Sequence, residues 1–147
     1  DWDTCPDYAE RKLLAILEDL IVDKSQIDHL NIVGHSYGGT LVAGLADETT
    51  AITMSIHTVA APMIPYERLI NRCASFNGYE NMTIVNDLFQ WRTVKEEDGA
   101  FKNMAADPQI ANIPNSTVIE LPSQFQDGRR LGHNWSISWV IDNIFED

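Results

Sequence analysis

The sequence predicts an α/β fold, a predominantly parallel sheet of about four strands flanked by helices, and three observations predict it. Short apolar runs at residues 30–33, 52–60, 82–86 and 116–121 each end at polar, glycine or proline residues, as strands buried in a layered core do. Segments with helical spacing separate the earlier runs, and strands joined by helices of this length pair in parallel through right-handed crossovers. A glycine-rich turn, Gly34-His35-Ser36-Tyr37-Gly38-Gly39, joins the first run directly to a helical stretch. A chain of 147 residues suits one domain over 1–147. Folding at that length removes roughly two-thirds of the unfolded surface from water.

The elements follow in order. Residues 7–24 carry Leu13, Leu14, Ile16, Leu17, Leu20 and Ile21 on one helical face, with Glu10, Arg11, Lys12, Glu18 and Asp19 opposite; Pro6 and Asp7 mark the start. A polar link at 25–28 leads into the first strand, and the helix after the glycine turn runs to about residue 47. The second strand, 52–60, stops at Ala61-Pro62. Residues 65–71 form a short helix with proline in its first turn, and Asn77-Gly78 marks a turn. The runs 82–86 and 116–121 supply the third and fourth strands, and 135–145 has the spacing of a closing helix.

Charge narrows the partners. Ten Lys+Arg stand against 22 Asp+Glu, a net −12. Such a surface repels phosphate backbones and anionic headgroups, which argues against nucleic acid and against docking on acidic membranes. An uncharged small-molecule or lipid substrate fits better. Charges interrupt every apolar stretch, so no transmembrane segment is expected. The opening Asp1-Trp2-Asp3 does not read as a secretion signal, and any signal would already have been removed. Acceptor patterns for glycosylation at Asn81, Asn115 and Asn134 are the one pointer to a compartment, secretion. Two of them overlap predicted strand starts and the third adjoins His133, where chance is the simpler explanation. Cys5 and Cys73 leave a single bridge and two buried thiols both open.

The chemistry centres on Ser36. In a strand–turn–helix setting the Gly-x-Ser-x-Gly pattern lifts a serine above the sheet edge, with Gly34 and Gly38 expected to leave room where a Cβ would collide. The amide of Tyr37 would face an oxyanion formed by attack of Ser36. His35 lies inside the motif with its side chain directed away from the serine, and reads as structural. A serine hydroxyl needs a base and an acid to orient that base, both from loops at the carboxyl ends of strands. Among the four histidines, His29 precedes its strand, at the wrong edge, and His57 reads as a core residue satisfied within its strand. His133, in a loop at 128–134, is the candidate base. Asp87, directly after the run 82–86, is the candidate acid. Asp98, Asp107 and Asp127 also occupy loops, but Asp98 ends the charged run Lys95-Glu96-Glu97-Asp98, which reads as a solvated face. Asp107 precedes a proline and reads as a turn or cap.

Together these segments resemble the α/β-hydrolase family, more narrowly its lipases and esterases of the class-3 lipase type. Gly34-His35-Ser36-Tyr37-Gly38-Gly39 is similar to the nucleophile elbow, Thr58-Val59-Ala60-Ala61-Pro62 to the end of the following strand, and Thr83-Ile84-Val85-Asn86-Asp87 to the strand and acid. The resemblance implies Ser36 as nucleophile, Asp87 as acid, His133 as base and Tyr37 as an oxyanion-hole donor, with no metal or organic cofactor. It also implies a partial α/β-hydrolase fold, the carboxyl half, because the family has several further strands upstream. The strand before Ser36 would then expose an open edge, expected to belong to a fragment, a processed subunit or a homodimer joined there.

The expected activity is hydrolysis of carboxylic esters, including lipid esters, through an acyl-enzyme. An inactive hydrolase-fold scaffold and an acyltransferase or thioesterase carry the same motifs. Phe89, Trp91 and Phe101, in residues 88–114, suit either a lid or acyl-chain wall or packing beneath a loop.

Overall fold

Four parallel strands, β1 (His29–His35), β2 (Thr53–Val59), β3 (Asp87–Arg92) and β4 (Thr117–Glu120), lie side by side in chain order. Helices α1 (Pro6–Asp23), α2 (Tyr37–Ala43), α3 (Glu67–Arg72) and α4 (Gly132–Ile144) flank them. The structure, a computed structural model, describes residues 4–23 and 27–144. Lys24 and Phe145, the expected ends of the first and last helices, lie outside the described residues, as do link residues 25–26 and the acidic opening 1–3. No described helix is long and apolar enough to cross a membrane.

Strand alternation builds two cores. Met54, Ile56 and Leu88 face one side and meet Leu17 of α1, Val42 and Ala43 of α2 and Leu69 of α3. Val59, Val33 and Trp91 face the other, against Val140, Ile137 and Trp139 of α4. Helices therefore cover both faces, the condition under which a parallel sheet is stable. On the α4 side His57 stacks on its register partner Phe89 with ring centroids 4.7 Å apart and accepts a hydrogen bond at Nδ1 from Trp91 Nε1 at 3.1 Å. The core reading of His57 holds for its burial, but its buried Nε2 has no hydrogen-bond partner among the described residues. β1 occupies one edge of the sheet, pairing only with β2 among the described residues.

Two expected boundaries move. Residues 82–86 are not a strand: Val85 and Asn86 donate their amides to Ala46 O, and Asn86 Nδ2 donates to Leu45 O and Glu48 O. Tied to the 3-10 turn Gly44–Asp47, this segment has no ladder to join, and the third strand begins only at Asp87, opposite Ser55. The closing helix starts earlier than its apolar spacing suggests, at Gly132, whose φ of +52° is a backbone state that glycine adopts without strain. The cysteines, left open by the sequence, form a disulfide between Cys5 and Cys73.

Where α1 meets the turn after α2, carboxylate oxygens of Glu10, Asp47 and Glu48 lie within 4.8 Å of one another. Burial, and then the negative charges of Asp47, Glu48 and Asp7, push Glu10 up to about 7. A carboxyl raised above its unfolded value binds its proton more tightly in the fold, so its ionisation costs stability as pH climbs from 4.5 to about 7. Glu10→Gln is accordingly expected to raise Tm at about pH 8 and to change it little at about pH 5. Equal shifts at the two pH values in thermal melts would show that the carboxylates are not coupled to folding.

Candidate active site

Ser36 caps the carboxyl end of β1 and precedes α2, with φ 55° and ψ −128°. A non-glycine residue in this region costs of order 1–3 kcal/mol and persists only where its surroundings over-determine it. Here the amide of Ser36 donates to Val59 O at 2.8 Å, and its carbonyl accepts from the amides of Gly39 and Thr40 at 2.9 and 3.3 Å. A Cβ on Gly34 would stand 2.4 Å from Gly38 O, and one on Gly39 would stand 2.5 Å from the Ala61 Cβ. Both are backbone-limited contacts between β1, α2 and the end of β2, so these two glycines let the turn close. Gly38, expected to share that role, would place a Cβ in open space; the collision belongs to its neighbour.

His133 is the second residue of α4 and turns its ring onto the serine. Ser36 Oγ lies 2.9 Å from His133 Nε2, and His133 Nδ1 lies 3.0 Å from Asp98 Oδ2. Since an ionised carboxylate only accepts, Nδ1 carries the proton and Nε2 is left to accept from the hydroxyl. The result is a continuous Ser36–His133–Asp98 network with the connectivity of a Ser-His-Asp triad. Asp98 is fully buried and the His133 side chain is 12% exposed. The Phe101 ring stands edge-on to the imidazole at 5.1 Å.

Asp87, the expected acid, does not meet His133. It opens β3 at the amino end, exposed and paired with Ser55, whereas Ser36 stands at the carboxyl ends of the parallel strands. The five steps from Asp87 to Arg92 separate the two rims by roughly 16 Å. The carboxylate that meets His133 does follow the third strand, but that strand runs from 87 to 92. Beyond it the 3-10 turn Lys95–Glu97 directs Asp98 inward. Its Oδ1 accepts from the amides of Ala100 and Phe101 at 2.8 and 3.2 Å, and its Oδ2 accepts from Thr93 Oγ1 at 2.5 Å as well as from His133. Burial raises the pKa of this carboxyl, but the bonds from His133 and Thr93 outweigh it and hold the group below its ordinary value.

Thr93 and Gln109 had no signal in the sequence. Gln109, almost wholly buried, accepts from the Thr93 amide at 2.9 Å and returns a bond from Nε2 to the Thr93 carbonyl at 3.1 Å, fixing the hydroxyl that supports Asp98. A legible clue to Asp98 did exist in the apolar positions Leu88, Phe89 and Trp91, which mark a strand ending nearer to it.

The other histidines fall as expected in position. His29 is the first residue of β1, with Nδ1 2.8 Å from Thr53 Oγ1, far from the serine rim. His35 Nε2 lies 2.8 Å from the carbonyl oxygen of His133. Burial, chiefly, lowers its pKa and favours the neutral ring.

Ser36 and Tyr37 border a cavity of about 850 Å³, within the size range of small-molecule sites. Ile64, Leu69, Phe101 and Met104 supply apolar wall, and Arg68 and Arg72 of α3 line it too. Phe101 thus serves as both wall and packing. Phe89 and Trp91, by contrast, belong to β3 and pack toward His57 and Trp139 on the other face. Compared with models of protein families, with curated proteins and with solved structures, the chain finds no match in any of the three.

Proposed function

We propose that this chain is a serine hydrolase of carboxylic esters, of lipase or esterase type, working through an acyl-enzyme. The observation that supports the reading is the unbroken hydrogen-bonded path from Ser36 Oγ to His133 to the buried Asp98, beside a cavity with an apolar wall.

In the first half-reaction Ser36 Oγ attacks the ester carbonyl carbon while its proton passes to His133 Nε2, and the carbonyl electron pair moves onto oxygen. Asp98, accepting from Nδ1, stabilises the imidazolium that results and keeps the ring in register. The amide of Tyr37, first residue of α2, is the proposed donor to the oxyanion. Collapse breaks the bond to the alkoxy group, which leaves with the proton from Nε2. Water then attacks the acyl-enzyme, giving a proton to the same nitrogen, and Ser36 is released with the acid product. The apolar wall of the neighbouring cavity suits the acyl chain, and lipid esters fall within that class. An intrachain disulfide accords with a secreted protein.

The test is covalent labelling by a fluorophosphonate probe, followed by turnover of p-nitrophenyl esters. Wild-type chain is expected to label and to release p-nitrophenol, and Ser36→Ala to do neither. A folded wild-type chain that takes up no probe would favour a non-catalytic scaffold. Labelling with acyl transfer to an added thiol or alcohol in preference to water would favour a transferase.

A further inference from the structure

We infer that His35 is a positioning residue, which anchors the backbone of His133 to the serine turn so that the base is held at hydroxyl distance. The inference rests on the hydrolase reading above and adds a role that the Ser-His-Asp network does not contain.

The geometry is a two-point attachment. His133 lies 97 residues along the chain from Ser36 and reaches it only because the long loop after β4 returns α4 to the sheet rim. Adjacent residues of one turn then touch it twice: Ser36 Oγ meets its ring at 2.9 Å, and His35 Nε2 meets its carbonyl oxygen at 2.8 Å. A carbonyl only accepts, so His35 carries its proton on Nε2. The ring and the main chain of the base are thereby referred to one dipeptide, whose internal geometry is covalent. Without the second attachment, the spacing between Oγ and Nε2 would depend on how a distant helix settles against β2 and β3.

Two further contacts fit this role. Ser136 Oγ donates to the same His133 carbonyl at 2.6 Å, so the oxygen is held from the turn on one side and from α4 on the other. The His35 and His133 rings lie 4.9 Å apart. A cation that close would oppose formation of imidazolium on His133, whereas a neutral donor holds the backbone without that penalty. Burial favours the neutral form of His35 and outweighs the bond to the His133 carbonyl, which by itself acts the other way.

The experiment compares His35→Gln, which keeps an N–H donor at similar reach, with His35→Met, which fills comparable volume and has none. Both are measured against wild type for fold by circular dichroism and for kcat and KM on a p-nitrophenyl ester. Misplacing a catalytic group by about 1 Å can cost about a hundredfold. His35→Met is therefore expected to lose roughly ten- to a hundredfold in kcat with KM nearly unchanged, and His35→Gln to recover most of the loss. A folded His35→Met that keeps wild-type kcat would overturn the inference, as would equal losses in the Gln and Met variants. If the Met variant does not fold, Ser136→Ala removes a second side-chain donor to the same carbonyl. With this change and His35→Gln measured singly and together, a combined loss in kcat greater than the product of the single losses supports the shared anchor, and a combined loss equal to that product refutes it. If wild type itself neither labels nor turns over, the hydrolase reading has failed instead, which separates the two results.

Discussion

Asp98→Asn is expected to lower kcat by about ten-thousandfold while Asp87→Asn leaves it near wild type. An asparagine at 98 keeps an oxygen for the Ala100 and Phe101 amides, but its amide nitrogen can meet His133 Nδ1 as a donor. That reverses the demand on the imidazole. Nδ1 must then accept, the proton moves to Nε2, and the nitrogen facing Ser36 Oγ at 2.9 Å can no longer take the hydroxyl proton. Asp87, exposed at the opposite rim, has no access to the ring. The measurements are kcat/KM on a chromogenic ester and the rate of fluorophosphonate labelling, with Tm as a control for folding. Comparable losses in the two variants would show that the carboxylate at 98 does not orient the base.

The second large effect concerns stability. Cys5 and Cys73 are separated by 68 positions, and their bond ties the start of α1 to the end of α3, enclosing β1, the serine turn, α2 and β2. Closing a loop of that length restricts the unfolded chain by about 4 kcal/mol in the chain-entropy account. Against a total stability of about 5–15 kcal/mol this is a large share. Cys5→Ala/Cys73→Ala, or reduction of the wild type, is expected to lower Tm by about 10–15 °C. Alanine is the suitable replacement because Cys73 sits in the apolar core, where a serine hydroxyl would add its own cost. A drop of only a degree or two would mean that the unfolded chain is restricted by something other than this bond.

Much of the architecture was legible before any coordinates. The apolar runs before Ser36 and within 52–60 are strands because their residues face two cores, and burial on both sides leaves a mark in composition. α1 and α2 were visible through their spacing. The serine turn was visible through its glycines: crowding at Gly34 is as expected, whereas the second crowded position is Gly39 and not Gly38. His133 could be chosen by elimination, since parallel strands present one reactive rim and the other three histidines occupy β1 or β2.

The expectation that Asp87 meets His133 failed for a traceable reason. Thr83, Ile84 and Val85 have the β-branched character of a strand, yet Ala46 O already engages the amides of Val85 and Asn86. Propensity is local, whereas a strand exists only where a neighbour offers a ladder. In the same way Lys95-Glu96-Glu97-Asp98 looked uniformly solvated, and Glu96 and Glu97 are exposed while Asp98 is wholly buried. What turns it inward is a hydroxyl five residues back and an imidazole 35 residues ahead.

By itself, then, the sequence determined the layered α/β class, the serine turn and the identity of the candidate base, because sterics and periodicity are properties of residues that adjoin one another. Which carboxylate meets that base, whether the two cysteines join and what His35 holds were decided only by tertiary structure. Those pairings lie between 35 and 98 residues apart along the chain, and a hydrogen bond or disulfide over such a span depends on where folded segments meet in space.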